Sequence, residues 1–209
     1  MTENNSNRRS FLTRLSAGLS LLFVFRNSHA QTPKTPDAIE GPYYPKPSIR
    51  SQDIDNDLVK IEGVVTEAGG EVVILNGVIS DDTGAPVEGL RIEIWQCDIN
   101  GKYLSNRDRR KIKHDIAFQG FGHDITNEKG EYSFRTIKPG KYPGRTEHIH
   151  VKILRGRKEI LTTQFYVEDG PNNEGDWIYR RLSSAEAETV TMRFVDENSL
   201  PQATVNIVV

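Results

Sequence analysis

The sequence predicts an all-β fold, an antiparallel β-sandwich with long irregular loops and little helix. Short apolar or alternating segments recur along the chain from residue 72 onward. Turn sequences rich in Asp, Asn, Gly and Pro separate them, a pattern typical of antiparallel sandwiches. Strand and helix patterns do not alternate, so a parallel sheet with crossover helices is not expected.

The first strands follow from their residue patterns. VVILNGVIS (72–80) is apolar along most of its length, and the turn sequence DDTGAP follows it. LRIEIWQCD (90–98) alternates Leu, Ile and Ile with Arg, Glu and Trp, which is the period of a half-buried strand. A hairpin-type turn at Asn100-Gly101 ends it. Residues 102–123 are charged and irregular and are predicted as a long loop.

Five further segments are predicted as strands, namely EYSFRTI (131–137), EHIHVKIL (147–154), EILTTQFYV (159–167), TVTMRFV (189–195) and ATVNIVV (203–209). RGRK forms the hairpin turn between the second and third of these. The one helix candidate is the stretch 176–182 together with the SSAEAE that follows it. The two tryptophans, Trp95 and Trp177, are interpreted as packing residues.

Residues 1–30 are interpreted as an export signal. The pair Arg8-Arg9 precedes SFL, and an apolar run of eleven residues, 15–25, is followed by Ser-His-Ala ending at Ala30. This run is too short to cross the roughly 30 Å core of a bilayer as a helix. A basic start, an apolar middle and a small-residue end are typical of a signal peptide. Because the arginine pair resembles a twin-arginine signal, we expect export by that route to the periplasm or beyond.

Residues 31–209 are expected to form one domain, beginning with a proline-rich extended arm at 31–51. The chain is 36% hydrophobic and 27% charged, with a net charge of −2. This balance gives no reason to expect nucleic acid, or a membrane surface after processing, as a partner. Cys97 is the single cysteine, so an intrachain disulfide is excluded and a buried structural thiol is predicted.

His148 and His150 stand two positions apart in a predicted strand. Side chains at i and i+2 lie on the same face of a strand. We therefore expect the two imidazoles to point together, while Ile149, Val151 and Ile153 face the core. Two imidazoles on one face indicate either a metal-binding pair or solvated surface residues.

Several metal sites use two histidines in this spacing. A cupin needs a further histidine downstream, and none follows His150. A metallo-β-lactamase needs an aspartate two positions after the second histidine, where this chain has Lys152. A zinc site with His114 or His123 as the third ligand stays open.

Another class of site uses tyrosine phenolates. A phenolate is a hard anionic ligand that favours ferric over ferrous iron, and a bound cation lowers the pKa of a tyrosine from about 10. Two neutral imidazoles would complete the protein ligands. The candidates are Tyr142, in the loop before the histidine strand, and Tyr103, just after the strand 90–98 and its turn.

Four segments of the chain carry a resemblance to a known family. In chain order they are EGPYYP, GAPVEGLRIEIWQCDINGKY, FQGFGHDITNEKGEYSFRTIKPGKYPGR and HIHVKI. Together they resemble the intradiol ring-cleavage dioxygenases, and most closely the protocatechuate 3,4-dioxygenase branch. The resemblance covers residues 40–166 and implies a β-sandwich, in agreement with the strand pattern. It implies a non-haem ferric iron, Fe(3+), held by Tyr103, Tyr142, His148 and His150.

The resemblance also implies the reaction and further roles. A catechol-type ring would be cleaved by O2 between its two hydroxylated carbons, giving a cis,cis-muconate-type dicarboxylic acid. Tyr142 would leave the metal and accept a substrate proton, and Arg145 would stabilise charge on the ring. Gln164 would support the site, and Tyr43 and Tyr44 would line the substrate pocket. A homo-oligomer is a further expectation, because family members often assemble.

Some positions depart from the family pattern. Tyr142 and His148 are only six positions apart, Gly144 stands where protocatechuate enzymes carry an aromatic residue, and His123 stands where arginine is common. We therefore expect a more open pocket wall, and the particular catechol stays undefined. Two other functions remain as alternatives. One is a non-catalytic β-sandwich binding protein with a relic metal site, and the other is a zinc hydrolase using the histidine pair.

Overall fold

In the part of the chain that the structure describes, ten short strands begin and end close to turn sequences. The computed structural model describes residues 33–50, 54–168, 170–197 and 200–209, so the expected signal, 1–30, lies outside the described residues. In chain order the strands are β1 Val72–Ser80, β2 Arg91–Trp95, β3 Phe121–Ile125, β4 Glu131–Ile137, β5 His148–Arg155, β6 Lys158–Val167, β7 Thr191–Met192, β8 Val195–Glu197, β9 Leu200–Thr204 and β10 Ile207–Val208.

These strands form two five-stranded sheets, which confirms the predicted all-β class. One sheet has the order β3-β2-β5-β6-β7, and the other has the order β10-β1-β9-β8 with β4 paired to β1. Three pairs are parallel, namely β1 with β9, β1 with β10 and β6 with β7, so both sheets are mixed. A long stretch of chain joins the partners in each of these pairs, as a parallel arrangement requires.

The two sheets share one apolar core. β1 alternates strictly between buried and partly exposed residues. Its Leu75 belongs to the same cluster as Ile94 of β2 and Val151 of β5, and all three side chains are fully buried. Because both sheets contribute to this cluster, they pack face to face as a sandwich.

The outer face of the sheet that contains β5 is enclosed as well. Trp95, His150 and Gln164 stand in one row across β2, β5 and β6, and none is more than 3% exposed. The arm, described over 33–50, covers this row, and the Gln164 amide donates a hydrogen bond to the carbonyl of Ile39 at 2.9 Å. The polar groups on this face are therefore removed from bulk water.

The long loop predicted at 102–123 ends earlier than expected, because Phe121–Ile125 forms β3. Gly122, His123 and Asp124 give this segment little apolar alternation, so its sequence does not indicate a strand. It is a strand because every one of its residues pairs with β2. Pairing with a neighbour outweighs local propensity here.

The helix candidate is correct in its second part. Ser184–Thr189 forms the α-helix α1, and Ser183 and Glu186 make a capping box at its start. The preceding stretch contains only a single 3-10 turn at Tyr179–Arg181. Within the described ranges, no helix is both long and apolar enough to span a bilayer.

Cys97 is 2% exposed, which confirms the predicted buried thiol. Burial raises its pKa to about 12, and its Sγ lies 3.2 Å from the carbonyl oxygen of Gly140.

Trp95 is fully buried, as predicted, but Trp177 is 49% exposed. The packing interpretation of Trp177 is therefore wrong. It lies on the surface beneath the guanidinium of Arg181, which is 4.9 Å from its ring centroid.

Gly77 of β1 lies where a neighbouring segment passes very close. A Cβ added there would stand 2.0 Å from the carbonyl oxygen of Val205 and 2.9 Å from the hydroxyl of Tyr132. We expect Gly77→Ala to lower the free energy of unfolding by about 1–3 kcal/mol, measured by urea denaturation. The matched control is Gly175→Ala, where an added Cβ meets nothing within 4 Å. Equal losses in the two variants would contradict this explanation.

Candidate metal centre

The side chains of His148 and His150 lie side by side on the outer face of β5. They are 2% and 3% exposed, and their Nε2 atoms are 3.2 Å apart. Ile149, Val151 and Ile153 are fully buried in the core on the opposite face. The prediction that strand alternation points both imidazoles in one direction is confirmed.

Tyr103 reaches the histidine pair from the loop after β2. Its hydroxyl lies 3.2 Å from His148 Nε2, and the residue is 2% exposed. Its backbone N–H donates to the carboxylate of Asp108 at 3.0 Å, and an isolated β-bridge joins it to Cys97. Three donor atoms, Tyr103 Oη and the two histidine Nε2 atoms, are thus linked by successive contacts of 3.2 Å.

The loops that carry Tyr103 and Tyr142 meet backbone to backbone. Gly101 has φ +74°, a conformation that favours glycine, and a Cβ added there would lie 2.0 Å from the carbonyl oxygen of Lys141. A Cβ added at Gly140 would lie 2.2 Å from a carbonyl oxygen of the other loop. The absence of side chains at both positions allows the two tyrosines to approach each other.

Tyr142 stands beside the other three side chains. Its ring centroid is 5.7 Å from that of Tyr103 and 6.1 Å from that of His148. It is partly exposed, whereas Tyr103, His148 and His150 are buried. The guanidinium carbon of Arg110 lies 5.0 Å from the centroid of the Tyr142 ring. The structure therefore brings all four predicted ligands together, with Tyr142 on the accessible side.

Burial favours the neutral forms of these four side chains. It raises the pKa of Tyr103 well above its ordinary value, and burial also raises the pKa of Tyr142. Burial lowers the pKa of His148 to about 4 and that of His150 well below its ordinary value. Arg145 acts on all four, because its positive charge lowers each of these pKa values. Neutral imidazoles can bind metal, whereas a phenolate here requires a nearby cation.

The hydrogen bonds of His148 fit those of a metal-binding imidazole. Its Nδ1 lies 2.6 Å from the carbonyl oxygen of Thr146, so Nδ1 carries the proton and donates it. The lone pair of Nε2 then faces Tyr103 and His150. Metal-binding histidines are commonly oriented in this way. With two tyrosine rings beside two imidazoles, the residues fit the iron that the resemblance implies.

The zinc alternative lacks a third ligand among the described residues. Over the described ranges, no group of three or more His, Cys, Asp or Glu side chains is arranged to hold a metal ion. His123 lies on β3, two strands away from β5 in the sheet, and pairs with Glu93. Neither His123 nor His114 therefore joins the histidine pair.

Arg145 and Gln164 are in direct contact. Nη2 of Arg145 donates to Oε1 of Gln164 at 2.6 Å, and Nε of Arg145 donates to Oδ2 of Asp176 at 2.7 Å. Gln164 is fully buried and pairs with His150 across β5 and β6. The structure thus places both predicted residues next to the ligands. It adds Asp176, which sequence reasoning missed because it lies in an irregular segment.

The tyrosines of the arm have different positions. The ring of Tyr43 stacks on Tyr103 at 4.7 Å and meets Tyr142 edge-on at 6.0 Å. Tyr44 instead meets Trp95 edge-on at 4.9 Å, and its hydroxyl donates to Glu93 at 2.6 Å. Of the two residues predicted to line the pocket, Tyr43 therefore lies against the ligand set, and Tyr44 lies in the layer that supports it.

The imidazole of His150 is oriented by packing. Trp95 stacks on it with a centroid distance of 4.7 Å and an interplanar angle of 9°. Gly41 of the arm, with φ +75°, lies close enough that an added Cβ would be 3.3 Å from Cε1 of His150. The alternating pattern of β2 places Trp95 on the outer face, but its register against β5 cannot be read from the sequence.

A surface cavity of about 470 Å³ adjoins Tyr142 and Arg145. Gly144 forms part of its wall, and a Cβ added at Gly144 would meet nothing within 4 Å. The cavity is therefore open on the side where the sequence predicts a missing aromatic residue. Its remaining walls come from Lys141, Pro143, Asn172, Gly175 and Asp176.

The chain is similar to proteins of known sequence and structure. The chain is 32% identical to the protocatechuate 3,4-dioxygenase beta chain of Burkholderia cepacia over 68% of this chain and 63% of the relative. It is 31% identical to the protocatechuate 3,4-dioxygenase alpha chain of Pseudomonas putida over 66% of this chain and 71% of the relative. Among the curated relatives, the chain thus spans somewhat less than two thirds of the Burkholderia protein and more than two thirds of the Pseudomonas one.

A solved structure with a similar fold is the dioxygenase domain of a dioxygenase carbohydrate-binding protein fusion from Streptomyces sp. SirexAA-E. Its TM-score is 0.64 at 29% identity, over 85% of this chain and 98% of that domain. The family model described as "Dioxygenase" matches residues 39–206, which include every predicted ligand. This match extends over well more than half of the chain. The chain therefore belongs to the intradiol dioxygenase family.

Proposed function

We propose that this protein is a non-haem ferric dioxygenase. It would cleave a catechol-type ring between the two hydroxylated carbons and produce a cis,cis-muconate-type dicarboxylic acid. Both atoms of O2 enter the product, so the reaction needs no external reductant. The observation that carries the proposal is the chain of 3.2 Å contacts from Tyr103 Oη to His148 Nε2 to His150 Nε2, with Tyr142 beside it.

Tyr103, Tyr142, His148 and His150 would hold the iron. When bound, ferric iron supplies a Lewis acid that binds a catechol through its oxygens and makes the ring reactive towards O2. The protein keeps both imidazoles neutral by burial, with Trp95 stacked on His150 and Gly41 of the arm against the same ring. This enclosure limits competition from water for the site.

Two residues are suited to handling charge and protons. Tyr142, on the accessible side, would be a phenolate when iron is bound, and its phenolate oxygen would accept a proton from the substrate. The guanidinium of Arg145 borders the same cavity, and its fixed positive charge would stabilise negative charge on the ring as O2 attacks. Hydrogen bonds to Gln164 and Asp176 hold the guanidinium plane of Arg145 in one orientation.

The proposal is tested with purified, iron-loaded protein and a panel of ring substrates. We expect one iron per chain, visible absorption from tyrosinate-to-iron charge transfer, and oxygen uptake with catechol, protocatechuate, hydroxyquinol or a methyl- or chlorocatechol. We expect Tyr103→Phe to remove most of the visible band and to lower kcat by more than about 100-fold. The loss of an outer hydrogen-bond partner of a metal site costs about 10- to 100-fold, and a direct ligand should cost more.

The matched control is Tyr132→Phe. Tyr132 is also a buried tyrosine, but its hydroxyl donates to the carbonyl of Val205 at 2.6 Å in the core. This variant should lose about 1 kcal/mol of stability and keep its colour and activity. A colourless protein that takes up no iron, or oxygen uptake that survives Tyr103→Phe, would refute the proposed function.

We also propose that the protein is exported by the twin-arginine route. The support is the sequence of residues 1–30, with its arginine pair and short apolar run. Expression with the native N-terminus should give an extracytoplasmic protein whose mass corresponds to a start at Gln31. Replacing Arg8 and Arg9 together by lysine should leave the full-length chain in the cytoplasm. An unprocessed wild-type chain in the cytoplasm would contradict this proposal.

Burial of His148 and His150 makes the stability of the metal-free protein depend on pH. The folded pKa of His148 is about 4, below the ordinary value of 6.5. The unfolded chain therefore binds more protons between these values, and stability rises with pH across this window. The stabilisation is present in full above pH 6.5 and is lost as the pH falls towards 4.

Between pH 4 and 6.5, we expect the free energy of unfolding to rise by about 3 kcal/mol less in His148→Asn than in the wild type. The measurement is the free energy of urea unfolding of the metal-free protein at a series of pH values. The comparison is the slope of stability against pH in the variant and in the wild type. Identical slopes would show that His148 is not held neutral in the folded protein.

A further inference from the structure

Asp176 is a buried carboxylate that none of the sequence motifs includes. It lies between β6 and α1, directly before Trp177, and its side chain is 0% exposed. Burial raises the pKa of its carboxyl, but hydrogen bonds from the Thr146 N–H and the Arg145 guanidinium outweigh burial and hold the pKa below its ordinary value. A buried charge of this kind is costly unless it is fully hydrogen-bonded.

Both oxygens of this carboxylate are engaged. Oδ1 accepts hydrogen bonds from the backbone N–H groups of Ile178 at 2.8 Å and Tyr179 at 3.2 Å. Oδ2 accepts from Nε of Arg145 at 2.7 Å and from the backbone N–H of Thr146 at 2.9 Å. The Oδ1 contacts anchor the carboxylate to its own segment, so Oδ2 is held at a fixed point beside the ligand-bearing loop.

Through Oδ2, Asp176 contacts two groups that serve the candidate metal centre. The first is Arg145, whose guanidinium also donates to Gln164 at 2.6 Å, so the guanidinium plane is held at two points. The second is Thr146, whose N–H binds Asp176 and whose carbonyl oxygen accepts from Nδ1 of His148 at 2.6 Å. One carboxylate oxygen is therefore connected both to the cavity-lining arginine and to the imidazole of His148.

We propose that Asp176 is a positioning residue for ring cleavage, which orients the Arg145 guanidinium and, through the Thr146 peptide, the His148 imidazole. The inference rests on the proposed function and adds a residue to it. Asp176 acts through Arg145 and Thr146 and has no assigned contact with the substrate. Its effect is to fix the direction of a charge and of a lone pair before the reaction begins.

A double-mutant cycle tests this route of action. We expect Asp176→Asn to lower kcat by about 10- to 100-fold, with KM and iron content changed by less than about threefold. In an Arg145→Gln background the same change should lower kcat by a clearly smaller factor, because only the route through the Thr146 peptide to His148 remains. Equal factors in both backgrounds, or an unchanged kcat in Asp176→Asn, would overturn the proposal.

Asp57→Asn is the matched control. Asp57 also pairs with an arginine, Arg135, at 3.1 Å, and also accepts a backbone N–H, that of Val59, but this arginine is on β4, in the sheet that does not carry the histidines. Its substitution should leave kcat unchanged, and a fall like that of Asp176→Asn would overturn the proposal.

If Asp176→Asn does not fold, as judged by circular dichroism, Asp176→Glu replaces it. Glu keeps the charge but displaces the carboxylate, so kcat should still fall, and wild-type kcat in this variant would overturn the inference.

A second readout does not depend on activity. In metal-free protein, side-chain nitrogen NMR of the wild type should show His148 with its proton on Nδ1. Asp176→Asn should reduce the population of this tautomer or speed exchange of that proton, and an unchanged signal would overturn the link through Thr146. If the wild type binds no iron and cleaves no catechol, the proposed function fails, while this NMR comparison still decides whether Asp176 orients His148.

Discussion

The two-residue period of β5 is the constraint on which the candidate site depends. Ile149, Val151 and Ile153 are fully buried between the sheets, so the strand cannot shift by one residue without exposing them and burying histidines in the core. The apolar core therefore fixes the direction in which His148 and His150 point. The stability of the sandwich and the geometry of the site follow from the same register.

The two tyrosine ligands and the residues of the arm come from segments outside the strands, and close backbone contacts hold these segments in place. Glycines at 101 and 140 let the two tyrosine loops meet, and Gly41 brings the arm against His150. Lys152, 6% exposed on the outer face of β5, pairs with Glu40 of the arm. The arm is thus part of the site, because its Gly41 lies against the His150 imidazole and because it carries Tyr43 onto Tyr103.

The sequence predicted what depends on local periodicity and could not predict what depends on register between distant segments. The alternation in EHIHVKIL was sufficient to predict the strand and to predict that the two histidines share one face of it. The approach of Tyr103 to His148, 45 positions apart, was available only from the resemblance. β3 was missed because its pairing with β2, and not its composition, makes it a strand. The role inferred for Asp176 depends on hydrogen bonds to a loop 30 positions away, and no local pattern signals them.

The unequal burial of the two tyrosines suits the unequal roles that the proposed function gives them. Tyr103 is enclosed, stacked against Tyr43 and fixed through its backbone to Asp108, so moving its ring would disturb packed neighbours. Tyr142 is partly exposed, and the glycine two positions later, with φ +77°, has open space around it. A ligand that must leave the metal and accept a proton needs room to move and contact with the cavity. A ligand that must remain needs burial, and each tyrosine has the surroundings that its role requires.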